Sequence, residues 1–361
     1  MAINDTEMVG KAPGARHTRA AFVLVPRFNM MTLTTTIEPM RIANYLAPET
    51  LYDWQYLSAP GGEIVASNGM TLSTRPLSDV DPATSIVFVC GSWGCEHYDC
   101  PELINWLRRQ ERKGVTLAAM ELGVYVLARA GLVSARQVTT HWSCMAGFAE
   151  QFPRALVREQ LFTNDRNILT CAGGTAGLDL MLHLIAQRHG DQLALEVADQ
   201  ILHYPIRPAE TAQRHTLGGV SETMHPVVKA AIGLIETNIA EPPTVPAIAT
   251  HLGVSQRQLE RLFRRSMGCS PVQFSQLLRL QYARVLLTST HMSIRDVSAA
   301  SGFNSLSYFS LAFAKCFGKK PSEYRQAWPE QETAPSWPGT VFAFIEKSRR
   351  RALQETETAP H

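Results

Sequence analysis

Val245-Pro-Ala-Ile-Ala-Thr-His-Leu-Gly-Val-Ser255 returns 49 residues later as Ile294-Arg-Asp-Val-Ser-Ala-Ala-Ser-Gly-Phe-Asn304. Each copy has its apolar residues at helical spacing, then Gly253 or Gly302 for a tight turn, then a polar residue suited to cap a second helix. An amphipathic stretch follows in both cases. It ends on glycine and proline, Gly268 and Pro271 in the first copy, Gly318 and Pro321 in the second. The second copy is one residue longer, and the spacing places the extra residue inside its second helix, with Ser255 and Asn304 as the equivalent caps. Helix, turn and capped helix, twice over, is a pair of helix-turn-helix units, a motif whose second helix is shaped for a major groove.

The chemistry of the first unit agrees with that use. Leu259, Leu262 and Phe263 fall on one side of its second helix, while Arg257, Arg261 and Arg264 fall on the other at i, i+4 and i+7. Arginines in such a stripe supply the contacts that phosphates and guanines require. Between Pro226 and Ala327 twelve basic residues face five acidic ones, a net of +7 in a chain whose total is +2. The remainder therefore carries −5. A basic module joined to an acidic one implies a polyanion partner for the first alone.

From Met224 to Ala327 the sequence resembles the AraC/XylS family of bacterial transcription regulators. The most specific piece is Gly302-Phe-Asn-Ser-Leu-Ser-Tyr-Phe-Ser, with Phe313, Phe317, Gly318, Pro321, Tyr324 and Arg325 beyond it. The resemblance implies two helix-turn-helix units bridged by one helix, about Pro271 to Leu287. It implies promoter DNA as partner, read by Ser255, Gln256, Arg257, Arg261 and Arg264 in the first unit. Asn304, Ser305, Ser307 and Lys315 would serve in the second. Leu311 and Ala314 stand where the family often has basic residues, so the first unit is expected to carry more of the affinity.

With 361 residues, 45% of them apolar, the chain is large enough for two cores and too apolar for a disordered one. Seven scattered cysteines without a CxxC, no apolar leader and no long apolar run imply a soluble cytoplasmic protein with reduced thiols. Upstream of His203, buried-type strand runs alternate with helix-period stretches. Ala20–Val25, Trp54–Ala59, Ile86–Cys90, Val115–Met120 and Asn167–Ala172 read as strands. Ile37–Leu46, the stretch from Pro101, Gly123–Ala130 and Thr175–Arg188 read as helices. That alternation predicts an α/β domain, a mostly parallel sheet with helices on both faces, ahead of the all-α domain. The expected boundaries are 18–205 for the α/β domain, 206–225 for a linker, 226–327 for the DNA-binding domain and 328–361 for a flexible tail containing Arg349–Arg351.

The α/β region resembles the class I glutamine amidotransferase-like fold, in the PfpI-type version joined to AraC-type domains in GlxA-type regulators. The segments that carry the likeness are Ile37–Asn44, Leu127–Leu132, Val138–Trp142 and Thr170–Asp179. Enzymatic relatives place a cysteine on the elbow between strand and helix, where the helix N-terminus favours its thiolate. Here that position is Glu121, which implies no catalysis. The pocket is left to hold a small-molecule effector. Ligands of such sheets bind beyond the carboxyl ends of the strands, where Gly91, Ser92, Trp93, Glu121, His141 and Trp142 are expected to converge. Glu38 matches a pocket carboxylate of the superfamily and is expected to approach Glu121. Two carboxylates beside two tryptophans suit a cation. The resemblance likewise implies an amino-acid-derived or quaternary-ammonium metabolite, a homodimer formed through this domain, and an activator.

Two other readings compete with this one. An amidase or deglycase with an accessory DNA-binding module would need chemistry at the elbow, which Glu121 does not supply. A ligand-independent DNA-binding protein would need no pocket. The cluster Cys90, Cys95, His97 and Cys100 matches no usual zinc spacing, and Gly173-Gly174-x-x-Gly177 lacks the dinucleotide fingerprint. Neither a metal nor another cofactor is therefore expected.

Overall fold

In a computed structural model, residues 17–213 and 225–326 are described, and they fall into two compact units that divide after Gln213. The predicted tail, 328–361, and most of the predicted linker lie outside the described residues.

The first unit runs β1 (Thr18–Leu24), α1 (Met30–Leu46), β2 (Tyr52–Ser58), β3 (Gly62–Val65), β4 (Thr71–Pro76), β5 (Ile86–Gly91), α2 (Pro101–Arg112), β6 (Thr116–Glu121) and α3 (Val124–Arg129). It continues through β7 (Gln137–Val138), α4 (Met145–Gln151), β8 (Leu156–Val157), β9 (Phe162–Asp165), β10 (Ile168–Cys171), α5 (Ala176–His189) and α6 (Asp191–Gln200). Eight strands form one sheet in the order β3-β4-β2-β1-β5-β6-β10-β9. The six inner strands pair in parallel, and antiparallel β3 and β9 close the edges. β7 and β8 form a separate short ribbon.

Both faces of the sheet are covered, as the strand sequences require. Along β1, Ala20, Phe22 and Leu24 join a core with α1, α5 and α6, whereas Ala21 and Val23 join a second core with α2, α3 and α4. A strand buried on both sides has no polar face to alternate with, so it reads as a continuous apolar run. The predicted core strands and helices are all present. The edge hairpin β3–β4, the strand β9 and the helix α6 went unpredicted. Helix α1 starts earlier than its apolar period showed, because Asn29 caps it by accepting from the N–H groups of Met31 and Thr32.

The predicted linker begins too early. Residues 206–213 are fastened to the first unit: Ile206 and Ala209 pack on its core, and the Leu161 N–H donates to the Ala209 carbonyl. Arg207 donates through Nε and Nη2 to buried Asp179 at 3.0 and 2.6 Å, and His203 Nε2 meets the other carboxylate oxygen at 2.9 Å. Proline and polar residues hid a segment that is held largely by side-chain bonds, with Ile206 and Ala209 as its apolar contacts.

The second unit contains α7 (Pro226–Thr237), α8 (Val245–His251), α9 (Gln256–Met267), α10 (Pro271–Ser289), α11 (Ile294–Ala300), α12 (Leu306–Phe317) and α13 (Pro321–Gln326). Helix α10 is the predicted bridge. Its first half packs Phe274 and Leu278 into the core of α7, α8 and α9, and its second half packs Leu280, Ala283 and Leu286 against α11 and α12. Gly268 and Gly318 end α9 and α12 in the left-handed conformation.

Candidate functional site

The elbow after β6 is formed as the resemblance implied. Glu121 ends the strand at φ +57°, a left-handed conformation that is costly for a residue with a Cβ. The chain can turn there because Gly123 follows: a Cβ at Gly123 would lie 2.1 Å from the Val89 carbonyl oxygen. Glu121 is only 5% exposed. The Thr32 hydroxyl donates to its Oε2 at 2.8 Å and the Ser92 hydroxyl to its Oε1 at 2.9 Å, and the Asn29 side chain adds a further bond. Burial pushes the Glu121 carboxyl up from its ordinary value, and those three donors pull the other way. The three donors fix the carboxyl group in one orientation at the elbow.

Glu121, Asn29, Trp93, His141, Trp142, the turn 172–176, Arg207 and Gln213 line one open cleft of about 270 Å³. The turn comes close because Gly173 has no side chain; a Cβ there would meet Glu121 Cβ at 2.7 Å. Thr32 ties the turn to the elbow, since it also accepts from the Gly174 N–H at 2.9 Å. Trp93 and Trp142 are 43% and 40% exposed, unusual for rings of that size. Arg129 of α3 fixes the loop after Trp93 by donating to the carbonyls of Cys95, Glu96 and Tyr98. His141 accepts from the Ser143 N–H and shares a 2.7 Å hydrogen bond with its hydroxyl, so it also shapes the turn that carries Trp142.

Glu38 is not at this site. It lies on the outer side of α1, paired with Arg41 at 2.7 Å, and Thr32, two turns earlier, is what reaches Glu121. Gly91 pairs with Glu121 across the sheet, and Ser92 supports the carboxylate from behind; neither lines the cleft. Sequence reading missed Asn29, Thr32, Arg207 and Gln213. The cap motif at Asn29 was a local signal, but nothing local marks the other three. The thiols nearby are poor nucleophiles: burial raises Cys90 and Cys95 well above the usual range, and Cys171 to about 12. Among the described residues no group of three or more metal-ligating side chains is gathered in one place, and no helix is long and apolar enough to cross a membrane.

The second site is the outward side of the recognition helices. Ser255 caps α9 by accepting from the Gln258 N–H at 3.2 Å. Leu259, Phe263 and Met267 are buried, while Gln256, Arg257, Arg261 and Arg264 are exposed. In the second unit the cap is Ser305, accepting from the Tyr308 N–H at 3.3 Å, and not Asn304. The extra residue of the second copy therefore lies in the turn rather than in the helix. Ser307 and Lys315 are exposed on α12, and Asn304 is exposed ahead of it. Two of the counted cations have structural work instead. Arg279 donates to the carbonyls of Ser301 and Gly302 and stacks 4.1 Å from the Phe303 ring, and Arg325 donates to the Leu287 carbonyl.

A cleft over a thiol-free elbow, in a chain that also holds two helix-turn-helix units, defines a DNA-binding regulator with a small-molecule domain. Residues 248–327 match the helix-turn-helix domain family, and residues 18–187 the DJ-1/PfpI family. The chain is 39% identical to the HTH-type transcriptional regulator CdhR of Pseudomonas aeruginosa, over 88% of this chain and 94% of that one. It is 38% identical to the regulator GbdR of the same species, over 85% and 84%. A crystal structure of an AraC family transcriptional regulator from Pseudomonas putida is 26% identical, covering 51% of this chain and 99% of its own, with a TM-score of 0.47. The chain belongs to the AraC/XylS family of helix-turn-helix transcriptional regulators, in the GlxA-type group that carries a DJ-1/PfpI-like domain. Its role is regulatory rather than catalytic.

Proposed function

We propose that the regulator is an activator whose cleft takes a small cationic metabolite, amino-acid-derived or quaternary-ammonium. The observation that carries this reading is the Glu121 carboxylate held in one cleft with two half-exposed tryptophans. A cation there gains both the Coulomb attraction of the carboxylate and the negative faces of the rings. The cleft's volume is at the small end for ligand sites, which suits an amino-acid-sized molecule better than a nucleotide. Arg207 lines the same wall, and its Nη1, outside the bonds to Asp179 and Thr175, suits the carboxylate of an amino-acid-derived ligand. Arg207 and Gln213 belong to the segment that continues toward the DNA-binding unit, so a bound ligand touches the chain where its signal must leave. The ligand alters transcription only by binding two arrangements of the protein unequally. Pairing with a second copy through the first unit is part of the proposal; Leu195, Leu202 and Tyr204 are exposed there, and apolar surface of this kind is what an interface covers.

Glu121→Gln tests the charge while keeping the shape. Calorimetry against a panel of amino-acid-derived and quaternary-ammonium cations should show at least tenfold weaker binding in the variant than in the parent. DNA affinity without ligand should be unchanged. A variant that still binds the same cation as tightly would remove the carboxylate from the reading.

A further inference from the structure

The two recognition helices agree in register and differ in chemistry. Aligned on their capping serines, Ser255 and Ser305, their buried sides coincide: Leu259 with Phe309 and Phe263 with Phe313. Their outward sides do not. Leu306 stands for Gln256, Ser307 for Arg257, Leu311 for Arg261 and Ala314 for Arg264. Leu306, the first residue of α12, is 44% exposed and Leu311, in its middle, 70%, whereas Phe309, Ala312 and Phe313 of the same helix are packed.

Each base edge in a major groove asks for a particular partner. Guanine is met by a bidentate cation, adenine by a side-chain amide, cytosine by an acceptor, and thymine by an apolar contact with its C5 methyl. The stripe Ser307, Leu311, Ala314 offers no guanidinium, amide or carboxylate. Its largest group is a leucine in water, and the one methyl among the base edges is thymine's. We propose that the second helix-turn-helix reads thymine methyl groups through Leu311, with Leu306 alongside. The two halves of the binding site then differ: arginine-contacted guanines and phosphates in one, thymine in the other. This rests on the reading of both units as major-groove readers, α12 having the serine cap and the length of α9.

The test uses the full chain and a duplex that it selects from a random-sequence pool, with footprinting to assign the half contacted by each unit. Thymines in the second half are replaced one at a time by deoxyuridine, which lacks only the methyl. At one or more positions affinity should fall about fourfold, the value of one buried methyl, with the salt slope unchanged because no phosphate contact is lost. In Leu311→Ala the same replacement should make no difference; Leu311 is too exposed for its truncation to unfold the helix. Arg261→Ala is the control for DNA binding itself. If it weakens binding while the parent is indifferent to deoxyuridine throughout the second half, the thymine proposal falls and the major-groove reading stands. If neither variant changes affinity, both fall. A Leu311→Ala chain that binds DNA with unaltered thymine preference yet no longer activates transcription also overturns the proposal, and assigns the leucines to a protein partner.

Discussion

The cleft and the first recognition helix both carry ionisable side chains, but they hold them in opposite ways. Glu121 is buried, strained at its backbone and fixed by three side-chain donors. Arg257, Arg261 and Arg264 stand in water, with no acidic ion pair formed among the described residues. A buried charge acts through a preorganised, weakly screened field on one small ligand. Exposed charges act through counterion release on a long polyanion, so their effect depends steeply on salt. On the proposed reading, the first arrangement selects what enters; the second binds any duplex and lets a few base contacts choose among them.

The largest expected effect lies on the exposed side of this comparison. Arg257→Ala or Arg261→Ala should cost about 1–3 kcal/mol of DNA affinity where the lost side chain met a base. A variant that lost only a phosphate contact should weaken all sequences alike and lower the salt slope by about one. Mobility-shift titrations at several salt concentrations separate the two cases. Unchanged affinity in both variants would mean that α9 does not face DNA.

The same contrast explains what could be read from the sequence. The arginine stripe is contiguous: three side chains within one helix, with a periodicity that fixes which way they point. The repeat of the motif also fixed two units, and α10 then had to be the bridge. The cleft is assembled from stretches as far apart as Asn29 and Gln213. Glu121, Trp93, His141 and Trp142 could be anticipated because strand ends gather at one edge of a parallel sheet. Glu38 could not be placed correctly, since a helix start one turn or two earlier changes which residue reaches the elbow. Asn29 supplied that earlier start, and Thr32 became the partner of Glu121. Arg207 and Gln213 were hidden because nothing in that stretch shows that buried Asp179 awaits the one and the Thr140 and Gln160 carbonyls the other.

A second, smaller effect tests the buried side. Burial raises the Glu121 carboxyl, so the folded chain holds that proton more tightly than the unfolded chain does. Stability from this group is therefore fully present below the ordinary carboxylate value of about 4.5, and it declines as pH rises through the higher folded value. Glu121→Gln removes the dependence. Thermal unfolding of parent and variant across acid to neutral pH should show the variant gaining relative stability as pH rises. A difference that stays flat, or shrinks, would mean that the donors from Thr32, Ser92 and Asn29 outweigh burial.

The smallest effect decides the register on which the comparison of the two recognition helices depends. Ser305 satisfies an N–H at the start of α12, so Ser305→Ala should cost about 1 kcal/mol. In a unit of this size that is about 4–8 °C in its melting temperature. Asn304 is exposed and caps nothing, so Asn304→Ala should stay within about 0.5 kcal/mol of the parent. The opposite result would start the helix one residue earlier and align Asn304 with Ser255. Arg264 would then correspond to Phe313, which is wholly buried, and Arg261 to Ser310 instead of Leu311. An outward cation cannot be equivalent to a core phenylalanine in two helices that pack alike on α10. The burial pattern thus already favours Ser305, and the two alanine variants measure it directly.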